Sequence, residues 1–263
     1  MPETQIVLPA RLASTRLPEK LLQNVAGKSV LQHTYEAASR AAAASAGVIV
    51  AVDDPRMAET VDAFGGRWVM TPNDCPSGTD RIAAVAEQFP ATEIFINVQS
   101  DEPEIDPAAI DAVAETLAGD PEADMATAGT PIRTAAALKD PAIVKIVMAG
   151  MTTQPNRAGQ GRAVYFSRAC VPYRRDGDPA ELLERNPPIY WHHLGLYAYR
   201  RDFLSWFAGS PPSPLEQTEK LEQLRAIEAG KKIVVAAVGP AKPGIDTPQD
   251  LAAFRRRLET SGS

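Results

Sequence analysis

At 263 residues, with 44% hydrophobic and 23% charged side chains, the chain has the size for one large or two small domains and the composition of an ordinary globular protein. A formal net charge of -6 argues against the basic face that nucleic-acid backbones require, so an anionic ligand must be held by a local cluster of cations. Cys75 and Cys170, in no metal-like spacing, argue against a disulfide framework or a zinc site; the absence of an apolar run near the ~18 residues of a membrane span, and of a signal pattern in MPETQIVLPAR, makes a cytoplasmic protein without membrane insertion the expectation.

In chain order, short β-like runs alternate with helical stretches. Strands are predicted at Gln5–Pro9, Val48–Val52, Arg67–Thr71 and Glu93–Gln99, with helices at Ser29–Ala44, Pro55–Phe64 and Thr79–Phe89. This alternation implies parallel βαβ crossovers and an open sheet covered on both faces. The turn DCPSGTD leads into the third helix, with Ser77 or Thr79 available as its cap. Beyond Asp120 the order is less regular. Strands are predicted at Met125–Thr130, Ile143–Met148, Ala163–Ser167, Leu194–Tyr199 and Lys232–Val238, and helices at Pro214–Ala229 and Thr247–Thr260. AGQGR (158–162) and residues 174–188 read as polar loops.

The stretch LPARLASTRLPEK places Arg11, Arg16 and Lys20 just past the first strand, where α/β proteins bind ligands. It reads either as solvated surface charge or as a triphosphate cradle, in which the small Ala13-Ser14-Thr15 run lets backbone N–H groups approach phosphate oxygens. Neither a Walker loop nor a G-x-G-x-x-G follows the strand. NVQSDEP ends the fourth strand in adjacent carboxylates, Asp101 and Glu102, which either close the strand or hold a hard cation such as Mg²⁺. Asp246, in PGIDTP, is either a helix N-cap or a second such ligand. Two acidic junctions and a basic loop together point to a metal-nucleotide site.

R-x-x-S-x-R-x-P-x-K (Arg11–Lys20), SGTDR (Ser77–Arg81), NVQSDEP, YFSRA (Tyr165–Ala169), HLGLYAY (His193–Tyr199), PLEQTEKLEQLR (Pro214–Arg225) and GIDTP (Gly244–Pro248) occur in this order. The set resembles the CMP-3-deoxy-manno-octulosonate synthetases, also called 3-deoxy-manno-octulosonate cytidylyltransferases, over nearly the whole chain. The basic loop alone resembles the wider group of sugar nucleotidyltransferases, CMP-sialate synthetases included.

The resemblance implies an α/β, Rossmann-like nucleotidyltransferase fold: a glycosyltransferase-A-like mixed sheet flanked by helices, one domain over 1–263, with about 120–200 containing an insert that serves homodimerisation. It implies transfer of CMP from CTP to the anomeric hydroxyl of an acidic eight-carbon sugar, with Mg²⁺ as cofactor. By the same resemblance Arg11 and Lys20 hold phosphates; Ser14, in the same loop, contacts substrate; Ser77, Gly78 and Arg81 lie near the cytidine; and Asp101 and Asp246 hold the metal. Gln99, Ser100, Arg168, His193, Glu216 and Gln217 line the sugar pocket, with Arg168 placed to engage the sugar carboxylate bidentately.

Two departures qualify the sugar. Ser100 stands where the family usually has glycine, and His192 where it commonly has a basic residue, so an 8-amino octulosonate is an alternative substrate. The remaining alternatives are a CMP-sialate synthetase-like enzyme, a sugar-nucleotide glycosyltransferase, which would make no pyrophosphate, and a nucleotide-sensing module without turnover. Asp53, Lys145 and Trp191 have no place in this scheme.

Overall fold

The first apolar run forms β1 (Thr4–Ala10), in which every residue but Pro9 is buried. A strand covered on both faces reads as a continuous apolar run, which is why QIVLP lacks the alternation of a half-exposed strand. The computed structural model describes residues 2–154 and 157–261. The chain forms two compact units, Met1–Asp111 with Ala241–Ser263, and Ala112–Pro240.

In the first unit, β1 is followed by a small separate hairpin, β2 (Asn24–Val25) with β3 (Lys28–Ser29). Helix α1 (Val30–Ala38) starts where the Ser29 hydroxyl accepts the Gln32 amide. It stops well short of Ala44, the end anticipated from sequence. Residues 39–47 turn back toward β4 (Val48–Val52), and the Asp111 carboxylate captures the Ala43 amide at 2.7 Å. Local alanine propensity is overridden by that tertiary bond. Next come α2 (Pro55–Ala63), capped by Asp54, then β5 (Trp68–Met70), α3 (Gly78–Gln88), β6 (Ile94–Asn97) and α4 (Pro107–Ala118). The sequence reading missed α4, although Asp106 followed by Pro107 marks its start: the Asp106 carboxylate accepts the Ala108 amide at 3.0 Å.

The strands of this unit run parallel in the order β5-β4-β1-β6. The chain first adds strands on one side of β1 and then returns to the other. The strand order therefore reverses between β1 and β6, and the crevice at their carboxyl ends is where such sheets bind ligands.

The second unit contains β7 (Met125–Pro131), α5 (Ala135–Lys139), β8 (Lys145–Gln154), β9 (Arg157–Ser167), β10 (Trp191–Arg200), α6 (Arg201–Ala208), α7 (Pro214–Glu219), α8 (Gln223–Glu228) and β11 (Ile233–Ala237). Its strands follow the order β10-β7-β11-β9-β8, with β7 and β11 parallel and the other pairs antiparallel. β8 also meets β10, so the set closes on itself.

Two expectations are corrected in this unit. AGQGR is not a loop: Gln160, Gly161 and Arg162 pair with Ala236, Val235 and Val234 of β11. Its glycines look like loop residues locally, but a Cβ at Gly161 would lie 2.9 Å from the Met151 sulfur and 3.2 Å from the Ala149 carbonyl, so the strand needs glycine there. The helix expected over 214–229 is two helices, broken at Lys220, whose φ of 55° lies in the left-handed region. The break frees the Glu219 carboxylate to accept the Ser167 hydroxyl at 2.7 Å and the Arg168 amide at 2.8 Å.

The chain ends in the first unit with α9 (Pro248–Ser261). Thr247 caps this helix: its hydroxyl accepts the Asp250 amide at 3.2 Å, and the Asp250 carboxylate accepts the Thr247 amide at 2.8 Å.

Candidate active site

In the first unit the geometry starts from strand register. Ala10 lies opposite Val52 and Val7 opposite Asn97, so the residues that follow β1, β4 and β6 emerge at one edge. The segment after β6 is fixed to its neighbours by backbone. The Ser100 hydroxyl donates to the Pro9 carbonyl at 2.7 Å, the Thr34 hydroxyl donates to the Ser100 carbonyl at 2.9 Å, and the Asp101 carbonyl accepts the Ile245 amide at 2.8 Å. That last bond brings the distant GIDTP segment beside NVQSDEP.

Because Thr247 performs the capping, the carboxylate of Asp246 is left for other partners. Lys20 stands between the two acids: its ammonium donates to Asp101 and, at 2.9 Å, to Asp246. Arg16 reaches the other Asp246 oxygen at 3.1 Å. Burial of Lys20 lowers its pKa, but the charge and hydrogen bond of Asp101, followed by those of Asp246, outweigh this and hold the ammonium above its ordinary range. Glu102, half-buried, is pushed up to about 7 by burial and then by the charge of Asp101.

This cluster is suited to a hard divalent cation. Its donors are carboxylate oxygens, and they already converge on one positive charge. Among the described residues no group of three or more acidic, histidine or cysteine side chains that could hold a metal ion is found.

The other nucleotide-side residues lie in the same unit. Arg11 is exposed and donates to the Cys75 carbonyl at 3.0 Å, while Ser14 and Gln99 are half-buried. Ser77 caps α3 by accepting the Asp80 amide at 3.1 Å, and Gly78 is the first residue of that helix. Arg81 is fully buried. Its guanidinium donates to the Thr71 hydroxyl at 2.5 Å and to Asp53 at 3.4 Å, and burial lowers its pKa. Ser100 is 4% exposed with its hydroxyl turned to backbone, so this departure from glycine is absorbed in the wall.

The residues expected to line the sugar pocket, apart from Gln99 and Ser100, belong to the second unit, and most are engaged there by the protein itself. Arg168 donates to three carbonyls: Glu219 at 2.7 Å, Pro141 at 3.0 Å and Lys220 at 3.4 Å. A guanidinium has five N–H groups, so two remain among the described residues. Glu216 is buried. Arg225 meets both of its oxygens at 2.7 Å, and one of them also accepts the Ser213 amide in a capping box. Gln217 is exposed and donates to the Pro212 carbonyl at 3.0 Å.

His193 is buried in a hydrogen-bonded chain. Nε2 meets the Thr127 hydroxyl at 3.1 Å, Nδ1 meets the Gln223 amide at 3.5 Å, and Gln223 accepts from Tyr197 at 3.4 Å. The Phe166 ring stands edge-on at 5.0 Å. Burial, and secondarily the charge of His192, pushes its pKa down to about 3, so the imidazole is neutral.

Sequence reasoning missed Gln223 and Arg225 as the partners of His193 and Glu216, and left Asp53 and Lys145 unassigned. Lys145 is a buried anchor, donating to the carbonyls of Asp140 at 2.7 Å and Arg168 at 3.0 Å. Only the appearance of Glu216 and Arg225 within one motif, PLEQTEKLEQLR, offered a signal.

Comparisons with known proteins show the family. A family model described as cytidylyltransferase matches residues 5–233. A 3-deoxy-manno-octulosonate cytidylyltransferase of Rhodopirellula baltica is 58% identical over 255 residues, covering 97% of this chain and 98% of the relative. One from Geobacter sulfurreducens is 44% identical over 256 residues, covering 96% and 98%. A solved CMP:2-keto-3-deoxy-manno-octonic acid synthetase complexed with CTP superposes with a TM-score of 0.85 at 40% identity, covering 98% of this chain and 99% of that one. On these grounds the chain belongs to the cytidylyltransferases and, within them, to the 3-deoxy-manno-octulosonate cytidylyltransferase family.

Proposed function

We propose that the protein transfers CMP from CTP to the anomeric hydroxyl of 3-deoxy-manno-octulosonate, releasing pyrophosphate and activating the sugar for lipopolysaccharide synthesis. The observation that carries this reading is the convergence of Arg16 and Lys20, from the loop after β1, on Asp101 and Asp246. Two anions must meet in this reaction, and the surface charge of the chain opposes their approach. The local cations remove that opposition.

Each residue has a role set by its chemistry. Lys20 commits two of its three N–H groups to carboxylates and keeps one for a phosphate oxygen. Arg11 and Arg16, both exposed, offset charge that grows on the departing pyrophosphate. Ser77 and Gly78 present the start of α3 toward the nucleoside, with Ser14 and Gln99 beside them in this reading. Arg168 offers its two remaining N–H groups to the sugar carboxylate, with Gln217 as a further polar contact.

Asp101 and Asp246 would hold Mg²⁺, which when bound supplies charge neutralisation at the α-phosphoryl oxygens and acidifies a hydroxyl. His193 is buried, neutral and hydrogen-bonded at both ring nitrogens, which leaves it to shape the pocket wall and not to take a proton. Glu216 acts on the pocket through Arg225 and α7 rather than by direct contact.

Pyrophosphate release, measured with each nucleoside triphosphate against a panel of acidic sugars, tests the reading. CTP with 3-deoxy-manno-octulosonate should dominate. Preference for the 8-amino sugar or a sialate would redirect the substrate assignment, and turnover without pyrophosphate would overturn the reaction. The reading carries with it the family's cytoplasmic homodimer, which sedimentation of the purified chain checks.

A further inference from the structure

Asp53 follows β4 directly. Register places it beside the start of the loop after β1, since Val52 lies opposite Ala10, and beside Thr71, since Val52 also lies opposite Met70. One carboxylate oxygen accepts the Leu12 amide at 3.0 Å, inside the loop that carries Arg11, Ser14, Arg16 and Lys20. The other faces the guanidinium of Arg81 at 3.4 Å, within the SGTDR segment that opens α3. The Arg81 side chain is fully buried, and its second anchor, the Thr71 hydroxyl at 2.5 Å, itself donates to the Val52 carbonyl at 2.9 Å. Among the described residues the Nε of Arg81 has no hydrogen-bond partner, and Asp53 is the carboxylate that pairs with this buried cation.

We infer that Asp53 is a positioning residue for the nucleotide site: it ties the departure of the phosphate loop, through Leu12, to the first turn of α3, through Arg81. The physical reason is entropic. A loop carrying three long cations has many conformations, and fixing the amide just past the strand sets the direction in which those cations leave. The carboxylate is 11% exposed and does both tasks at once, one with each oxygen. The role differs from ligand contact, because both partners of Asp53 belong to the protein.

The inference rests on the reading that the loop of residues 11–20 holds the triphosphate, and the test separates the two. Asp53→Ala removes both links, whereas Asp53→Asn keeps an oxygen for the Leu12 amide and loses the charge and the acceptor opposite Arg81. Hydrogen exchange of the segment 8–20 and steady-state kinetics in CTP are measured on both variants and on the unaltered protein.

Losing a largely buried hydrogen bond should make Asp53→Ala exchange in this segment about tenfold faster and raise KM for CTP about tenfold, with kcat at saturation falling less than about threefold. Asp53→Asn should hold both quantities within about threefold of the unaltered protein because the Leu12 link survives, while the lost partner of the buried Arg81 shows as a lower denaturation midpoint. If Asp53→Ala fails to fold, Asp53→Asn still decides. Its exchange and KM rising by tenfold would place the effect on the uncompensated Arg81 and overturn the loop-anchoring role. Unchanged exchange and KM in Asp53→Ala would overturn it as well. An absence of CTP turnover in the unaltered protein would defeat the functional reading, while the exchange comparison would still judge Asp53.

Discussion

The strand-end cluster of the first unit and the charged groups around α7 of the second use the same residue types in opposite ways. In the first, Arg16, Lys20, Asp101 and Asp246 meet at the ends of parallel strands, with side-chain exposures from 17% to 67%, so their charges remain open to a ligand. In the second, Glu216 and Arg225 close on each other at 8–11% exposure, and His193 is hydrogen-bonded at both ring nitrogens. Charge left part-exposed at strand ends serves binding. Charge buried and paired serves architecture, because an unpaired buried ion is far costlier than a paired one.

The largest expected break of this contrast lies in the second unit. Glu216→Gln removes the carboxylate charge that meets the buried guanidinium of Arg225 and should cost about 3–5 kcal/mol of stability, read as a fall in denaturation midpoint, with kcat of the folded fraction largely kept. A variant of normal stability that has lost turnover would instead place Glu216 in contact with substrate.

The first unit should show the reverse. Asp101→Asn and Asp246→Asn should each lower kcat for pyrophosphate release at saturating CTP by about a hundredfold or more, roughly 3 kcal/mol, while the melting temperature moves little. Their charges are partly screened by solvent, so the structural cost is small. Turnover at the unaltered rate with Mg²⁺ would remove either residue from the metal assignment.

The smallest effect depends on pH. His193 is neutral when folded, with its pKa pushed down to about 3, but titrates near 6.5 when unfolded. Between those values the unfolded chain binds the extra proton, so stability falls as pH drops below about 6.5. At pH 5 the loss from this one group is about 2 kcal/mol. His193→Gln should therefore flatten the acid side of the stability curve, measured by urea midpoints at pH 5 and 7.5. An unchanged slope would show that the imidazole is not held neutral.

Much of the first unit was legible in the sequence because its signals are local. Fully apolar runs such as VIVAV specify buried parallel strands, Ser77 caps α3 as the DCPSGTD turn suggests, and the basic loop stands directly after its strand. The second unit resisted because its decisive interactions are non-local. AGQGR is a strand only because β11 lies beside it, and PLEQTEKLEQLR breaks at Lys220 while Glu219 bonds the end of β9.

The sequence by itself determined the alternation of strand and helix, the two acidic junctions, the early cationic loop and, through its ordered motifs, the family. Only the tertiary structure decided which carboxylates stay available. Asp246 meets the cations of the loop after β1 because Thr247 and Asp250 cap α9 between them, Glu216 is taken because Arg225 lies in its reach, and Asp53 gains a role because two strand ends share a register. A side chain's formal charge is written in the sequence, but whether that charge is neutralised internally depends on which groups the fold brings within hydrogen-bond distance.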